Sequence, residues 1–384
     1  MIPLLQRQIF RESTYIFFLV VGALLTLIII NRAIQMRDLF IGLKLEILDV
    51  LILFSYMVPL FLILVIPIAC MLGVFLTFLR MNLDKELIAL KASGISIYQM
   101  LPAPLVFSFF CTLLTLWISL FWIAWGMEQF KTTLLDIART KVKISIQPGV
   151  FNNNFPGFVL FARQVDPLSG ELHQILLEDR SQTDRHLVIL APTGTIETNT
   201  TKGELIFNLT NGNIYTMSLN KTSFLSFDQY LVRIPLTTLL KNINFNELRP
   251  KEMSWKRLIK EYNITNTIQY QNKISVELHK RWAYPAACIA LTIFALPLAI
   301  MFEGIHRQVG LILALIMFFI YYGLMSFGFS TGESGTIPPA IGLWFPNILF
   351  FLLGLYGIYL TSHEKTTNIV YLIQNILGKI KGIR

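Results

Sequence analysis

The feature that most constrains this chain is a set of six long, predominantly apolar stretches that contain no Asp, Glu, Lys or Arg. Each stretch is at or above the roughly 18 to 20 residues that a helix needs to cross a bilayer. The chain is 54% hydrophobic and 14% charged, whereas a soluble domain is about a quarter charged. We therefore predict an integral membrane protein with six transmembrane helices. The stretches are 13–31, 50–79, 92–127, 282–302, 308–332 and 334–363.

The net charge of +9 is distributed unevenly between the short loops. Cytoplasmic loops carry an excess of Lys and Arg, so the side with more basic residues is predicted to be cytoplasmic. Both termini then lie in the cytoplasm and the long middle segment lies outside, and the positive charge gives little support to nucleic-acid binding. The basic residues are Arg7, Arg11, Arg80, Lys85, Lys91, Arg307, Lys365, Lys379, Lys381 and Arg384 on the cytoplasmic side, against Arg32, Arg37 and Lys44 opposite.

The six spans divide the chain into three regions. We predict three transmembrane helices in residues 1–131, an extramembrane region in 132–272, and three more transmembrane helices with a cytoplasmic tail in 273–384. The middle region alternates β-rich stretches with turn residues, at a spacing typical of a sandwich or jelly roll. The predicted fold class is an α-helical integral membrane protein with six transmembrane helices and an inserted all-β, jelly-roll-like domain.

The middle region changes character near its end. From Pro250 the pattern becomes helical, with Ser254 as a suitable N-cap for a helix over 255–262. A second helix from about Thr267 is predicted to continue into the fourth span. The predicted turns are 166–167, 192–194 and 211–213, and the predicted strands are 158–164, 172–178, 187–191, 204–209, 214–218 and 224–232.

Sequence signs of catalysis are absent. Cys70, Cys111 and Cys288 all fall inside predicted spans, so the outer region has no thiol for a disulfide, and they indicate no metal site. The motifs G-x-x-x-x-G-K-[ST], H-E-x-x-H and G-x-S-x-G do not occur, which argues against a P-loop ATPase, a zinc protease and a serine hydrolase. The span interiors have essentially no charge, which argues against an ion-coupled carrier. We therefore predict no catalytic residue, cofactor or metal, and expect energy from a separate ATPase.

The loop between the second and third spans, RMNLDKELIALKASGIS, predicts a short amphipathic helix at 82–94. Asn82 is a candidate N-cap and Gly94 a candidate C-terminal stop. Such a helix suits either a groove in a partner protein or the lipid headgroup surface. Its apolar face consists of Leu83, Leu87 and Leu90, and its charges are Asp84, Lys85, Glu86 and Lys91.

Within this loop, DKELIALKASGIS resembles the cytoplasmic coupling helix of the lipopolysaccharide export permeases LptF and LptG. That helix has the pattern [DS]-x-E-[LI] followed by an [AC]-[SC]-G stop. Three further segments resemble the same family in the same order: QRQIFRE near the N-terminus, ELHKRWAYPAACIALTIFALPLAI over 277–300 and GLWFPNILFFLLGLY over 342–356. The resemblance spans nearly the whole chain and is weakest in the β region and after Thr361.

The resemblance implies a permease subunit of an ABC transporter in the bacterial inner membrane, with residues 132–272 in the periplasm. An LptF-like or LptG-like chain would be its partner, beside an LptB-like ATPase dimer and the LptC-like and LptA-like proteins of a periplasmic bridge. Segments of the β region look more like LptF than LptG. Glu86 matches the acidic coupling residue of the family. The candidate ATPase-coupling residues are Asp84, Glu86, Leu87, Leu90 and Lys91.

Basic residues at the outer end of the first span are candidate contacts for the phosphates of lipopolysaccharide. Arg32 falls close to a basic position of the family, and Arg37 lies little more than one helical turn further on. Lys44 is more distant from the span and is the weakest candidate. All three also fit a simpler interpretation, in which long cationic side chains reach lipid headgroups.

Aromatic and aliphatic residues suggest a path for the acyl chains. The family receives lipid beside the first and fifth helices, so Phe318, Tyr321 and Tyr322 are candidate gate residues. Plain lipid contact is the alternative for these three. In the β region the candidates for a lipid groove are Phe158, Leu160, Phe207 and Phe224, with ordinary core packing as the alternative.

Two other functions remain open from the sequence. An integral-membrane enzyme that modifies lipid or glycan would need acids, bases or metal ligands at one membrane depth. The short-range cluster is Glu303, His306 and Arg307, which lies in a predicted cytoplasmic turn. A non-transporting assembly scaffold would use the β region only to bind partners.

Overall fold

The computed structural model of the chain describes residues 2–37, 40, 45–145, 148–155, 158–166, 171–179, 185–199, 204–218, 221–235, 249–265, 267–301 and 307–363. The chain divides into two compact units. Unit 1 comprises Met1–Ile30, Met57–Met127 and Arg249–Arg384, and unit 2 comprises Asn31–Tyr56 and Glu128–Leu248. Unit 1 therefore contains most of the apolar helical segments, and unit 2 contains the β-structure.

The described residues contain six helices that are long and apolar enough to cross a membrane, which confirms the prediction from the charge-free stretches. The third of them changes from α to π geometry over Ile118–Trp122. A short 3₁₀ segment, Pro250–Glu252, precedes the connector helix. The helices are α1 Ile2–Gln35, α2 Ile47–Leu83, α3 Glu86–Ala92, α4 Ile97–Met100, α5 Pro102–Trp117, α6 Ile123–Ser145, α7 Trp255–Ile264, α8 Ile268–Met301, α9 Arg307–Ser334 and α10 Pro339–Ser362.

The helices α2 and α8 form the centre of unit 1. About three quarters of the membrane-length window of each is buried, 78% in α2 and 72% in α8, against 17% in α1 and 28% in α9. The two central helices touch at Cys70, whose Sγ lies 3.2 Å from Oγ1 of Thr292. Helix α10 packs closely on α8, because a Cβ placed on Gly354 would lie 2.7 Å from the backbone of Ile293. Small residues at such crossings let membrane helices approach each other.

The connector follows the predicted helical pattern. Helix α7 begins directly after Ser254, whose extended backbone is that of an N-cap, although its side chain donates and accepts no capping hydrogen bond. Helix α8 begins at Ile268 and runs without a break to Met301, through the internal residues Pro285 and Pro297. The prediction of one helix that continues into the fourth span is confirmed.

Unit 2 contains one six-stranded antiparallel sheet with the strand order β1-β2-β3-β4-β5-β6. The predicted all-β region is confirmed, and β1 was missed by the sequence pattern. Each described strand pairs with its neighbours along the chain, so the crossing connections of a jelly roll are not found among these strands. The strands are β1 Phe151–Phe155, β2 Phe158–Val165, β3 Glu171–Asp179, β4 Arg185–Asn199, β5 Glu204–Ser218 and β6 Lys221–Pro235.

Two predicted turns lie inside long strands. The clusters 192–194 and 211–213 were expected to end strands, yet β4 and β5 run through them. Gln174, Pro192 and Asn211 lie at the same level of β3, β4 and β5, where the regular pairing is interrupted. We call these three residues the crease.

The crease also changes which residues face the core. In β4 the buried positions are Ile189 and Ala191 before it and Gly194 and Ile196 after it, so the alternation shifts by one residue. A shift of this kind is the effect of a β-bulge, which bends a strand. The turn residues in the sequence therefore mark a bend shared by several strands.

Candidate functional site

The segment predicted as a cytoplasmic coupling helix is shorter than expected. Helix α2 extends to Leu83, and α3 occupies only Glu86–Ala92. The chain reverses at Lys85, which has a left-handed backbone with φ of 57°. The predicted stop at Gly94 is confirmed: its φ is 83°, its N–H donates to the Lys91 carbonyl, and the next N–H donates to the Leu90 carbonyl. This is the Schellman arrangement that ends helices at glycine.

Asn82 is not the N-cap of this helix, and that prediction is wrong. Its side chain is buried in the last turn of α2. Its Nδ2 donates to the carbonyl oxygens of Ala299 at 3.2 Å and Ile300 at 3.1 Å. These carbonyls belong to the last turn of α8, where no N–H of the helix itself remains to pair with them. Asn82 therefore joins the end of α2 to the end of α8.

Arg80 organises the charged residues around α3. Its Nη2 donates to Oε2 of Glu12 in α1 at 2.7 Å, and its Nε donates to Oε1 of the same carboxylate. Its Nη1 pairs with Glu86 at 3.0 Å and with Asp84 at 3.1 Å. We call these four residues the Arg80 cluster. One guanidinium thus connects α1, the end of α2 and the start of α3, and three carboxylates surround a single cation.

The leucine face of α3 points into the protein. Leu87 is 2% exposed within the core of unit 1, and Leu90 packs against the same core. These two leucines hold the helix in place and do not offer an apolar surface to a partner. The opposite face is exposed at Ile88, Ala89 and Ala92. Asp84 is exposed and Lys91 is half-buried.

The candidate phosphate contacts lie at the end of α1. Arg32 is half-buried, and its Nη1 donates to Oε1 of Gln35 at 3.0 Å. Arg37 is exposed, and Lys44 lies outside the described residues. Arg32 and Arg37 therefore both belong to the segment of α1 and its extension that falls in unit 2.

The candidate gate residues of α9 differ in exposure. Tyr321 is 1% exposed, and its hydroxyl donates to Oδ1 of Asn347 in α10 at 2.7 Å. Phe318 is also buried, and its ring stacks on Tyr322. Tyr321 and Phe318 thus stabilise the packing of α9, whereas the neighbouring Phe319 is 66% exposed.

The candidate groove residues of the β-sheet also differ in exposure. Leu160 and Phe207 are fully buried in the core of the sheet, and Phe158 is half-buried. Phe224 is 61% exposed on β6, which is an end of the sheet among the described strands. Leu225 and Leu231 on this strand are also exposed. The exposed apolar residues of the described sheet therefore include Phe224, Leu225 and Leu231 of β6 and exclude Leu160 and Phe207.

The comparison with protein families accounts for most of the chain. The family of the lipopolysaccharide export system permease LptF/LptG matches residues 7–360. The chain belongs to the LptF/LptG family. No curated protein matches the chain.

As an LptF/LptG-family permease, the chain is a component of lipopolysaccharide export and a multi-pass protein of the inner membrane. The family is a permease family and not an enzyme family, and the match does not separate LptF from LptG. Among the described residues, no group of three or more His, Cys, Asp or Glu is arranged to hold a metal ion. Glu303 and His306 of the alternative enzyme cluster lie outside the described residues.

A buried arginine of this LptF/LptG-family permease was not singled out from the sequence. Arg281 is 0% exposed, and its Nη2 donates to the Met253 carbonyl in the connector at 2.6 Å. Its Nε lies 3.5 Å from Oε1 of Glu277, and its own carbonyl accepts from Ser119 in the π-helical segment at 3.2 Å. The family-like segment ELHKR contains both Glu277 and Arg281, which was the available signal.

Two further cations lie on the connector of the permease. Arg249 and Lys251 flank the start of the 3₁₀ segment, and Lys280 lies in α8 nearby. Burial lowers the pKa of Lys251, and the positive charges of Arg249 and Lys280 lower it further. The carboxylates of Glu252 and Glu277 act in the opposite direction, so cations and carboxylates are mixed around Lys251.

Proposed function

We propose that this chain is the membrane-spanning subunit of an ABC transporter that extracts lipopolysaccharide from the inner membrane and passes it to a periplasmic bridge. An LptB-like ATPase dimer drives it from the cytoplasm, and a second permease of the same layout completes the channel. LptC-like and LptA-like proteins receive the lipid. Within the family the chain is LptF-like.

The Arg80 cluster carries this proposal. An ATPase that docks on α3 moves a helix whose first residue, Glu86, is paired with Arg80 of α2. Because Arg80 also pairs with Glu12 of α1, the movement reaches two membrane helices through one side chain. Burial of Leu87 in the core transmits it further. A rigid element with a few fixed contacts is what a transmitted conformational change requires.

The docking surface consists of the outward residues of α3. Ile88, Ala89 and Ala92 are exposed and small or aliphatic, so they suit a groove in the ATPase, while Asp84 at the edge sets the register with a basic group. Glu86 and Lys91 are half-buried beside this surface. Leu87 and Leu90 act from inside, by keeping α3 in position.

The lipid side of the proposal rests on cations and exposed apolar strands. Arg32, Arg37 and Lys44 are proposed contacts for the phosphates of lipid A, together with Arg249 and Lys251 of the connector. Arginine suits this task because its guanidinium donates two parallel hydrogen bonds to a phosphate.

The acyl chains are proposed to pass Tyr322 and Phe319 of α9 and then apolar residues of the sheet. Phe224 on β6 is an accessible aromatic residue of the sheet. Phe158, half-buried on β2, is a second proposed contact, on the opposite face by the strand register. The buried candidates are proposed to stabilise these surfaces by packing beneath them. They are Leu160, Phe207, Phe318 and Tyr321.

The substitution Glu86→Ala tests the coupling role. It removes the pair with Arg80 and the acidic group beside the docking face. We expect lipopolysaccharide release by the reconstituted complex to fall at least several-fold relative to the ATP hydrolysed, or copurification of the ATPase to weaken. The measurement is ATP hydrolysis and lipid release in proteoliposomes, with pull-down of the ATPase.

Glu197→Ala is the matched control, because Glu197 is an exposed carboxylate on β4. This variant should behave as the wild type in both assays. Wild-type association and wild-type lipid release in Glu86→Ala would remove the coupling role.

A further inference from the structure

A cavity of about 390 Å³ lies at the crease of the sheet in unit 2. It opens on the face opposite the buried residues Leu177 and Ile189. Its volume is within the range of small-molecule sites, roughly 300–1,000 Å³. Its lining residues come from β2, β3, β4 and β5, and none of them belongs to β6. The lining residues are Phe161, Gln174, Ile175, Leu176, Leu190, Ala191, Pro192, Asn211 and Asn213.

The rim of this cavity holds two residues in a strained conformation. Gln174 has φ of 51° and Asn211 has φ of 54°. A left-handed backbone is unfavourable for a residue with a Cβ, and it persists where the surrounding structure enforces it. Both residues expose their side chains at the cavity. Asparagine adopts this backbone more readily than most residues with a Cβ, so the less usual glutamine at position 174 is the one that indicates a role of the side chain.

The polar groups of the lining are carboxamides. Gln174, Asn211 and Asn213 come from two strands and lie on one rim. The Oε1 of Gln174 accepts from Nη1 of Arg163 at 3.0 Å, which directs the amide NH₂ of Gln174 away from the arginine. A carboxamide both donates and accepts hydrogen bonds, and so does a hydroxyl group.

The floor of the cavity is apolar and includes an aromatic ring. Leu176 and Leu190 lie beside Phe161, whose ring packs against Phe151 of β1 with centroids 4.9 Å apart. An aromatic face carries partial negative charge and attracts the partially positive C–H groups of a flat aliphatic ring. None of the nine lining residues is charged.

We propose that this cavity binds a neutral saccharide, with the hydroxyl groups on the carboxamide rim and one sugar face on the ring of Phe161. A phosphate is disfavoured because no cation lines the cavity. A peptide strand is disfavoured because β3, β4 and β5 already pair on both sides. The inference rests on the proposed function for the source of the sugar, since lipopolysaccharide carries an oligosaccharide beyond its lipid. A separate periplasmic glycan has the same chemistry.

The test is a binding measurement on the full chain in nanodiscs. The probes are lipid-free, dephosphorylated core oligosaccharide and a neutral linear glucan. Their binding is measured by saturation-transfer NMR and by calorimetry. The variants are the double substitution Gln174→Gly with Asn211→Gly, which removes two carboxamides and the backbone strain together, and Asn213→Ala. Gln164→Ala is the control, because Gln164 is an exposed carboxamide on β2 outside the cavity.

We expect the wild type and Gln164→Ala to bind at least one probe equally well. The double variant should bind it at least about tenfold more weakly, because one or two good hydrogen bonds are lost. The Tm of the double variant should be unchanged or higher, because glycine relieves the backbone strain. Binding of the core oligosaccharide alone identifies the exported lipid as the source, and binding of the glucan identifies another glycan.

Three outcomes would overturn the proposal. They are absence of binding to both probes, binding by the double variant as tight as that of the wild type, and occupation of the cavity by an extended peptide. The probes contain no lipid and the assay uses no ATPase, so the result is independent of lipid export. A failure of the proposed transport function would appear in the proteoliposome assay and leave this measurement intact.

Discussion

At the scale of single residues, two arginines with several partners each tie separate segments together. Arg80 is partly exposed and pairs with three carboxylates, whereas Arg281 is fully buried with Glu277 as its described carboxylate partner. An ion pair that water reaches contributes little to stability, so loss of the Arg80 pairs should change the free energy of unfolding only slightly. A buried pair is different, because loss of one partner leaves a charge without compensation.

Arg281→Ala should lower stability by about 3 kcal/mol, the lower end of the range for breaking a buried ion pair. The substitution removes the hydrogen bond to the Met253 carbonyl and leaves the buried Glu277 carboxylate paired with Lys280, whose Nζ lies 3.3 Å from Oε2. Thermal unfolding of the purified chain in detergent measures the effect. The paired substitution Glu277→Leu with Arg281→Met should recover most of the lost Tm. An equal Tm for Arg281→Ala and the wild type would contradict the structural role.

At the scale of helices and strands, the close approach of neighbouring elements depends on glycine at a few positions. Gly354 brings α10 onto the backbone of α8, and Gly212 brings β5 against the Leu190 carbonyl of β4 and the ring of Phe227. A methyl group at either position would overlap backbone atoms, which cannot move away as a flexible side chain can. Neither contact is visible in the hydropathy of the segment that contains it.

Gly354→Ala should destabilise the chain by about 1–3 kcal/mol, as added atoms do in a tightly packed interior. The added Cβ would lie 2.7 Å from Ile293 and Phe294 backbone atoms, so α10 must shift from α8. Gly323→Ala in α9 is the matched control, since a Cβ there meets nothing within 4 Å. Thermal unfolding of both variants measures the difference. A larger loss in the control would show that the close approach is unimportant.

At the scale of the whole molecule, the orientation in the membrane decides which parts meet the ATPase and which meet the periplasmic partners. The excess of basic residues in the short loops beside the N-terminus predicts that α3 is cytoplasmic and the sheet periplasmic. The native cysteines Cys70, Cys111 and Cys288 are buried, so an introduced thiol reports its own side of the membrane.

Labelling with a membrane-impermeant maleimide tests this orientation. Ser93 at the end of α3 and Glu197 on β4 are both exposed. In intact spheroplasts Glu197→Cys should be labelled and Ser93→Cys should not, and both should be labelled after the membrane is disrupted. The unsubstituted chain is the control for the native cysteines. Labelling of Ser93→Cys in intact cells would reverse the topology.

Much of this fold follows from the sequence alone. Charge-free stretches predict six spans because a charged side chain is costly in hydrocarbon. The inserted β region and the helix stop at Gly94 follow from the local conformational preferences of their residues. The segment around Glu86 is also recognisable from its own residues, together with the other segments that resemble the family.

Only the tertiary structure decided which faces these elements bury. The leucines of α3 form one stripe in any environment, and contact with the core of unit 1 makes them internal. Asn82 was a plausible cap by its neighbours in sequence, and it caps a helix more than 200 residues away. Pro192 and Asn211 are turn residues by local preference, and pairing with the adjacent strands keeps their strands continuous. Local propensity acts over a few residues, whereas these outcomes depend on contacts between segments distant along the chain.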